Sequence, residues 1–161
     1  METTILGLSF STRMLGLAVF QSNSLIDYSL KLHKGMWTAQ KRDMILASLA
    51  SCFVHYTISD IALSIPDVHQ QTKGFRELQQ AIECFANVHG IPVTSYPAKE
   101  LYQRFGNPVK RTRHALMKRL VLLFSELSIY YERELKNRNK YYIKLFEAIA
   151  AAAFHSQEKK C

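Results

Sequence analysis

One segment of this sequence contains several cationic residues and no acidic residue. Cationic side chains can bind phosphate groups. No acidic residue lies between Glu100 and Glu126. Part of the segment begins a predicted helix, where the helix dipole favours an anion over a cation, so an external phosphate would stabilise the arrangement. The alternative is a solvated polar face opposite an apolar stripe. We predict nucleic-acid contacts by Arg104, Lys110, Arg111, Arg113 and Lys118.

The charge of the whole chain agrees with a polyanionic partner. Lys and Arg number 21 against 13 Asp and Glu, which gives a formal net charge of +8. A basic balance of this size favours nucleic acid as a partner, although it also serves solubility alone.

A second basic run alternates with aromatic residues. Its cations are Arg133, Lys136, Arg138 and Lys140, and its aromatic residues are Tyr130, Tyr131, Tyr141 and Tyr142. This mixture can stack on unpaired bases. We favour the simpler interpretation, an ordered loop whose tyrosines cover the edge of a sheet.

The sequence gives little support for a disulfide framework, a zinc site or a membrane span. The three cysteines are odd in number and widely spaced, so neither a disulfide framework nor a zinc site is expected. No apolar run approaches the roughly 20 residues that span a bilayer, and the N-terminus does not resemble a signal peptide. We therefore expect a cytoplasmic protein with no membrane partner.

The periodicity of the apolar residues predicts alternating strands and helices. Period-two alternation or short apolar runs predict strands, and spacings of three and four predict helices. The predicted strands are 4–10, 15–20, 24–33, 58–65 and 91–96. The predicted helices are 39–56, 74–89, 97–105, a long helix marked by Leu116, Leu120, Leu123 and Leu127, and a last helix from Ile143.

This order of elements predicts one α/β domain over residues 1–161. The first three strands are joined by turns too short for anything but antiparallel pairing, while strands joined through helices must be parallel. The result is a mixed five-stranded sheet with helices on both faces.

Two passages resemble one family. Residues 5–16 (ILGLSFSTRMLG) resemble the first motif of RuvC Holliday-junction resolvases, and residues 147–155 (EAIAAAAFH) resemble the last helix of that family. Gly106 to Lys110 and the helix that follows resemble its glycine-containing loop and lysine, so the resemblance covers nearly the whole chain. It implies an RNase H-like fold, DNA more than RNA as partner, a homodimer, and phosphodiester hydrolysis by two divalent metal ions held by carboxylates.

The sequence departs from the family at the metal-binding positions. The resemblance places a carboxylate at Ser9, another at Ser64 or Ile65, and a third at Lys144, three residues before Glu147. Only Glu147 is a retained acid. A hydroxyl is a poor ligand for a hard cation, so we predict that metal-dependent nuclease activity is lost. His155, which ends the last motif, is expected as a surface histidine or a cation at the helix end.

We therefore predict a nucleic-acid-binding pseudo-nuclease without a cofactor. One alternative is an active, divergent nuclease in which Asp67 and Glu147 hold a single Mg²⁺ or Mn²⁺, since Asp67 follows the fourth strand where open α/β sheets bind ligands. A more ordinary role for Asp67 is a loop or helix-start carboxylate. A third possibility is a protein-interaction domain on the same fold.

Overall fold

A computed structural model describes residues 3–106, 112–136 and 141–159 of the chain. Lys110 and Arg111 of the first basic segment, and Arg138 and Lys140 of the second, lie outside the described residues.

One five-stranded sheet forms the centre of the protein, and it confirms the predicted mixed topology. The strands run in the order β3-β2-β1-β4-β5. The first three pair antiparallel, and β1, β4 and β5 pair in parallel. Their bounds are β1 Thr4–Phe10, β2 Met14–Gln21, β3 Ser24–Leu32, β4 Asp60–Ile65 and β5 Val93–Pro97.

Helices cover both faces of this sheet. On one face, α1 and α2 pack against Leu6, Leu8 and Phe10, every second residue of β1. On the other face, α3 to α6 pack against Ile5 of β1 and Ala62 of β4. The bounds are α1 Ala39–His55, α2 Lys73–Val88, α3 Ala98–Phe105, α4 Arg113–Leu123, α5 Ser128–Lys136 and α6 Ile143–Glu158. No helix in the described ranges is long and apolar enough to cross a membrane.

The predicted long helix through Leu127 is wrong, because α4 ends at Leu123. Phe124 has an extended backbone, its N–H donates to Leu120, and its ring packs edge-on against Phe20 of β2. Leu127 is buried in a separate 3₁₀ turn, Ser125–Leu127. Packing of Phe124 on the sheet therefore overrides the continuing leucine period.

The described part of the second basic run is helical, because Ser128–Lys136 forms helix α5 where an ordered loop was expected. Tyr130 packs edge-on against Tyr28 of the edge strand β3, with ring centroids 5.8 Å apart, so the tyrosine does cover the sheet edge as predicted. The buried carboxylate of Glu134 accepts the backbone N–H groups of Tyr141 and Tyr142 at 3.1 and 3.0 Å. This contact ties α5 to the residues that precede α6.

Two glycines allow the backbone of α6 to touch the sheet. A Cβ atom on Gly7 would lie 2.2 Å from the carbonyl oxygen of Ala148, and one on Gly16 would lie 2.2 Å from that of Lys144. Both distances are far below van der Waals contact, so a larger residue at either position would push α6 outward. The glycines thus place the first turns of α6 directly above β1 and β2.

Candidate nucleic-acid interface

Glu147 is the acid that the sequence resemblance assigns to the site, and both oxygen atoms of its carboxylate have partners. It lies in the second turn of α6 with 6% of its surface exposed. The hydroxyl of Ser9 donates to Oε1 at 3.1 Å, and the hydroxyl of Tyr102 donates to Oε2 at 2.9 Å. The ammonium of Lys144 lies 3.3 Å from Oε1. A strand, a second helix and the preceding turn of α6 therefore all donate to one buried carboxylate.

Tyr102 is held as a hydrogen-bond donor by its surroundings. Burial raises the pKa of its hydroxyl well above the ordinary value, and the negative charge of Glu147 and the hydrogen bond to it act in the same direction. Arg113 has the opposite, smaller effect on the pKa of Tyr102. The phenol therefore stays protonated and neutral throughout the physiological pH range.

Ser64 is the residue of β4 that faces this site. It pairs with Ser9 across the parallel strands β1 and β4. Alternation along β4 places Ala62 in the core beneath α6, and Leu63 and Ile65 pack on the opposite face. Of the two positions that the resemblance allowed, Ser64 therefore lies beside Ser9, and Ile65 points away from the site.

A cleft of about 420 Å³ opens beside Glu147 at the carboxyl ends of β4 and β5. Three helices contribute one cation each, and the loop after β4 contributes one acid. The charged residues of its wall are Lys99 of α3, Arg113 of α4, Lys144 and Glu147 of α6, and Asp67. Lys144 is paired with Glu147. The other charged residues of the cleft wall are therefore the cations Lys99 and Arg113 and the exposed carboxylate of Asp67.

Asp67 lies where the sequence placed it, just beyond the carboxyl end of β4. It is exposed, precedes a 3₁₀ turn and makes no side-chain capping bond to that turn. It shares the cleft with Glu147. Across the described ranges, no group of three or more His, Cys, Asp or Glu side chains is arranged to hold a metal ion.

A larger groove of about 880 Å³ lies on the other side of the α4 N-terminus, between α3, α4 and α5. It contains the predicted cations Arg104 and Lys118, so these residues do not share the cleft of Arg113. The guanidinium of Arg104 donates to Oε1 of Gln157 at 3.0 and 3.3 Å, which leaves its positive charge unneutralised by that contact. The groove is lined by Arg104, Phe105, Gly106, Thr112, His114, Ala115, Lys118, Arg119, Leu122 and Tyr131.

Thr112 joins the two concavities. It caps the N-terminus of α4 by accepting the N–H of Ala115, and it lines both the cleft and the groove. The predicted phosphate-binding residues that the structure describes are thus distributed over two adjoining concavities, with Arg113 in the cleft and Arg104 and Lys118 in the groove.

The sequence reasoning missed Lys99 and Tyr102. Both lie on α3, three residues apart and therefore on one side of the helix, while Leu101 and Phe105 are buried. The helical period of this short segment could have revealed that side. Its orientation toward α6 depends on tertiary packing and leaves no local signal.

The expectation of a surface position for His155 is wrong, because the residue is buried, although it does lie in the last turn of α6. Its Nδ1 lies 2.6 Å from the hydroxyl of Tyr96, and its Nε2 lies 3.4 Å from Oδ1 of Asp60. Asp60 also pairs with Lys159. Because Asp60 begins β4 and Ser64 lies near its end, this cluster is at the opposite end of the sheet from the cleft and anchors the last turns of α6.

Comparison with known proteins shows the fold and no closer relationship. No protein-family model and no curated protein sequence matches the chain. Two solved structures of Thermus thermophilus RuvC match the chain at 15% sequence identity. The first, in complex with a Holliday-junction substrate, has a TM-score of 0.74 and covers 98% of this chain and 95% of its own. The second has a TM-score of 0.72 and covers 98% of this chain and 96% of its own. The chain therefore has the RNase H-like fold of RuvC.

Proposed function

We propose that this protein is a RuvC-like domain that binds nucleic acid and does not hydrolyse it. The state of Glu147 carries the proposal. Its carboxylate accepts hydrogen bonds from Ser9 and Tyr102 and an ion pair from Lys144. The ammonium of Lys144 already supplies the positive charge that a divalent cation would bring to the carboxylate of Glu147.

The donor set does not fit a pair of divalent ions. Mg²⁺ and Mn²⁺ require several anionic oxygen ligands, and two ions that share a site require more. The groups in contact with Glu147 are instead the hydroxyls of Ser9 and Tyr102 and the ammonium of Lys144. The positive charge of Lys144 would repel a divalent cation from the carboxylate of Glu147. We therefore propose no hydrolytic step at this site.

The surface beside this site suits a phosphodiester backbone. Lys99 and Arg113 project into the cleft, and Arg104 and Lys118 lie along the adjoining groove. Arginine and lysine contacts to phosphate release counterions, which makes affinity depend on salt but little on sequence. The similar RuvC structure is one in complex with a Holliday-junction substrate, which supports DNA rather than RNA as the partner.

A divergent nuclease is the second candidate, because Asp67 and Glu147 line the same cleft. A single Mg²⁺ or Mn²⁺ between them would have to displace Lys144 or Tyr102 from the carboxylate. A protein-interaction domain on this fold is the third candidate, and it predicts no affinity for nucleic acid.

The experiment that separates the three measures fluorescence anisotropy with a labelled four-way junction, duplex and single-stranded DNA, at two salt concentrations. Mg²⁺ and Mn²⁺ are included, and the recovered DNA is analysed on a gel. We expect binding that weakens with salt and DNA that remains intact. Cleavage that is absent in Glu147→Gln would support the divergent nuclease. No binding to any of the three DNAs would support the interaction domain.

A further inference from the structure

A second group of cations meets at the β1–β2 turn, away from the cleft and the groove. Arg13 lies in that turn, Lys31 and His33 lie at the end of β3, and Lys41 lies in the first turns of α1. The N–H of His33 donates to the carbonyl oxygen of Arg13 at 2.7 Å, which joins the turn to the end of β3.

Lys41 is covered but has a neutral partner. It keeps 6% of its surface exposed. Its ammonium donates to the carbonyl oxygen of Gly35 at 2.8 Å. Loss of solvent lowers the pKa of Lys41, and the charge of Arg13 lowers it further. A covered ammonium beside a guanidinium is an arrangement that an anion would stabilise.

His33 gives an independent indication of a ligand. Its Nε2 is buried and has no hydrogen-bond partner within the part of the chain that the structure describes. A buried polar atom without a partner is destabilising, so its presence calls for an explanation. Loss of solvent and the charges of Lys41 and Lys31 lower the pKa of His33.

The nearest acids on these elements are engaged elsewhere. Asp27 lies on the same face of β3 as Lys31 but four residues away, about 13 Å along the strand, and it accepts hydrogen bonds from Tyr56 and from the N–H of Tyr28. Asp43 of α1 pairs with Arg42. Glu77 of α2 accepts from the indole of Trp37.

We propose that Arg13, Lys31, His33 and Lys41 form a binding site for a phosphate group. The side chains of the cluster, rather than the backbone of the turn, would hold the phosphate oxygens, and Nε2 of His33 would donate the hydrogen bond that it lacks. A nucleic-acid backbone and a small phosphorylated molecule are the two sources of such a group, and both present the same chemistry.

The position of the cluster suits a backbone phosphate. β3 runs parallel to β1 and β4, so their carboxyl ends lie at one edge of the sheet. That edge also carries the cleft. Three strand spacings separate β3 from β4, about 14 Å in all. If the function proposed above holds, one bound strand could reach both places.

NMR of the histidine side chains, titrated with inorganic phosphate, tests the site without any nucleic acid. The signal of His33 is assigned with His33→Gln. We expect its Nε2 resonance to shift in a saturable way and its pKa to rise as phosphate binds. Arg13→Gln, an exposed position, should weaken binding about tenfold, whereas Arg133→Gln, which removes the same charge on the opposite face of the sheet, should not.

Absence of a phosphate-dependent shift at His33 would overturn the site, whatever nucleic acid does at the cleft. An equal shift in Arg13→Gln would do the same. The source is decided with the single-stranded DNA: a salt-dependence slope smaller by about one in Arg13→Gln identifies a backbone phosphate. An unchanged slope, with inorganic phosphate still bound at His33, identifies a small phosphorylated ligand.

Discussion

The ammonium of Lys144 lies 3.3 Å from Oε1 of Glu147, one helical turn away, at a position where the resemblance to resolvases implies a second acid. The exposed fractions of the two side chains are 19% and 8%, so the pair is largely removed from solvent. Removal of either member therefore leaves a buried charge or hydrogen-bonding group without its partner.

Lys144→Met should lower the free energy of unfolding by about 1–3 kcal/mol, because the buried carboxylate keeps its hydroxyl donors but loses its cation. Urea denaturation measures the change. Lys118→Met, on the exposed face of α4, is the matched control and should change stability little. Equal stability of the two variants would mean that the ion pair contributes nothing.

Tyr102→Phe should cost about 1 kcal/mol, since it removes one hydrogen bond to Glu147 and leaves Oε2 without that donor. The same variant tests a pH effect. The pKa of Tyr102 is raised in the folded state from 10.0, so its contribution to stability is complete below about pH 10 and decreases as pH rises beyond that value, where the unfolded chain ionises.

Stability measured from pH 9 to 11 should therefore fall less steeply in Tyr102→Phe than in the parent protein. Tyr131→Phe, for whose hydroxyl no comparable buried contact is described, serves as the control. Identical pH slopes in the parent and in Tyr102→Phe would contradict the assignment of a buried, un-ionised phenol at this site.

Arg113→Gln should weaken binding to every DNA tested by a similar factor and reduce the salt-dependence slope by about one, as expected for a single phosphate contact. Titration of labelled DNA at several salt concentrations gives both quantities. Arg76→Gln, an exposed arginine of α2 on the opposite face of the sheet, should leave them unchanged. A loss confined to one DNA sequence would instead indicate contact with bases.

Gly16→Ala should destabilise the protein by about 1–3 kcal/mol, because the new methyl group would collide with the backbone of α6 at Lys144. Thermal or urea unfolding measures this change. Ser29→Ala, in the adjacent strand and facing α1, is a substitution of comparable size that leaves the α6 contact intact. Equal stability of the two variants would show that α6 does not rest on Gly16.

The sequence was sufficient for the five strands of the mixed sheet and for the antiparallel pairing of the first three. Period-two alternation is a local signal, and the short β1–β2 and β2–β3 connections leave antiparallel pairing as the one possibility. The end of α4 was not predictable in the same way. The leucine period continues to Leu127, and only the packing of Phe124 on Phe20, residues far apart in the chain, stops the helix.

The candidate site was likewise predictable only in part. The resemblance placed Ser9, Glu147 and either Ser64 or Ile65 at one site. The strand register puts Ser64 beside Ser9, and a hydrogen bond joins Ser9 to Glu147. Lys99 and Tyr102 came from no motif, because their place in the site depends on how α3 packs against α6. His155 was misjudged for a related reason: its burial depends on Tyr96 and Asp60, which lie on β5 and β4.

The contact of α6 with Gly7 and Gly16 has a consequence for how this protein can change over time. The separation between Ser9 and Glu147 is set by backbone lying against backbone and not by the size of the side chains at the site. Substitutions at positions 9, 64 and 144 can therefore alter the chemistry while the geometry persists. The frame of the site can therefore accept new ligands through changes of a few side chains.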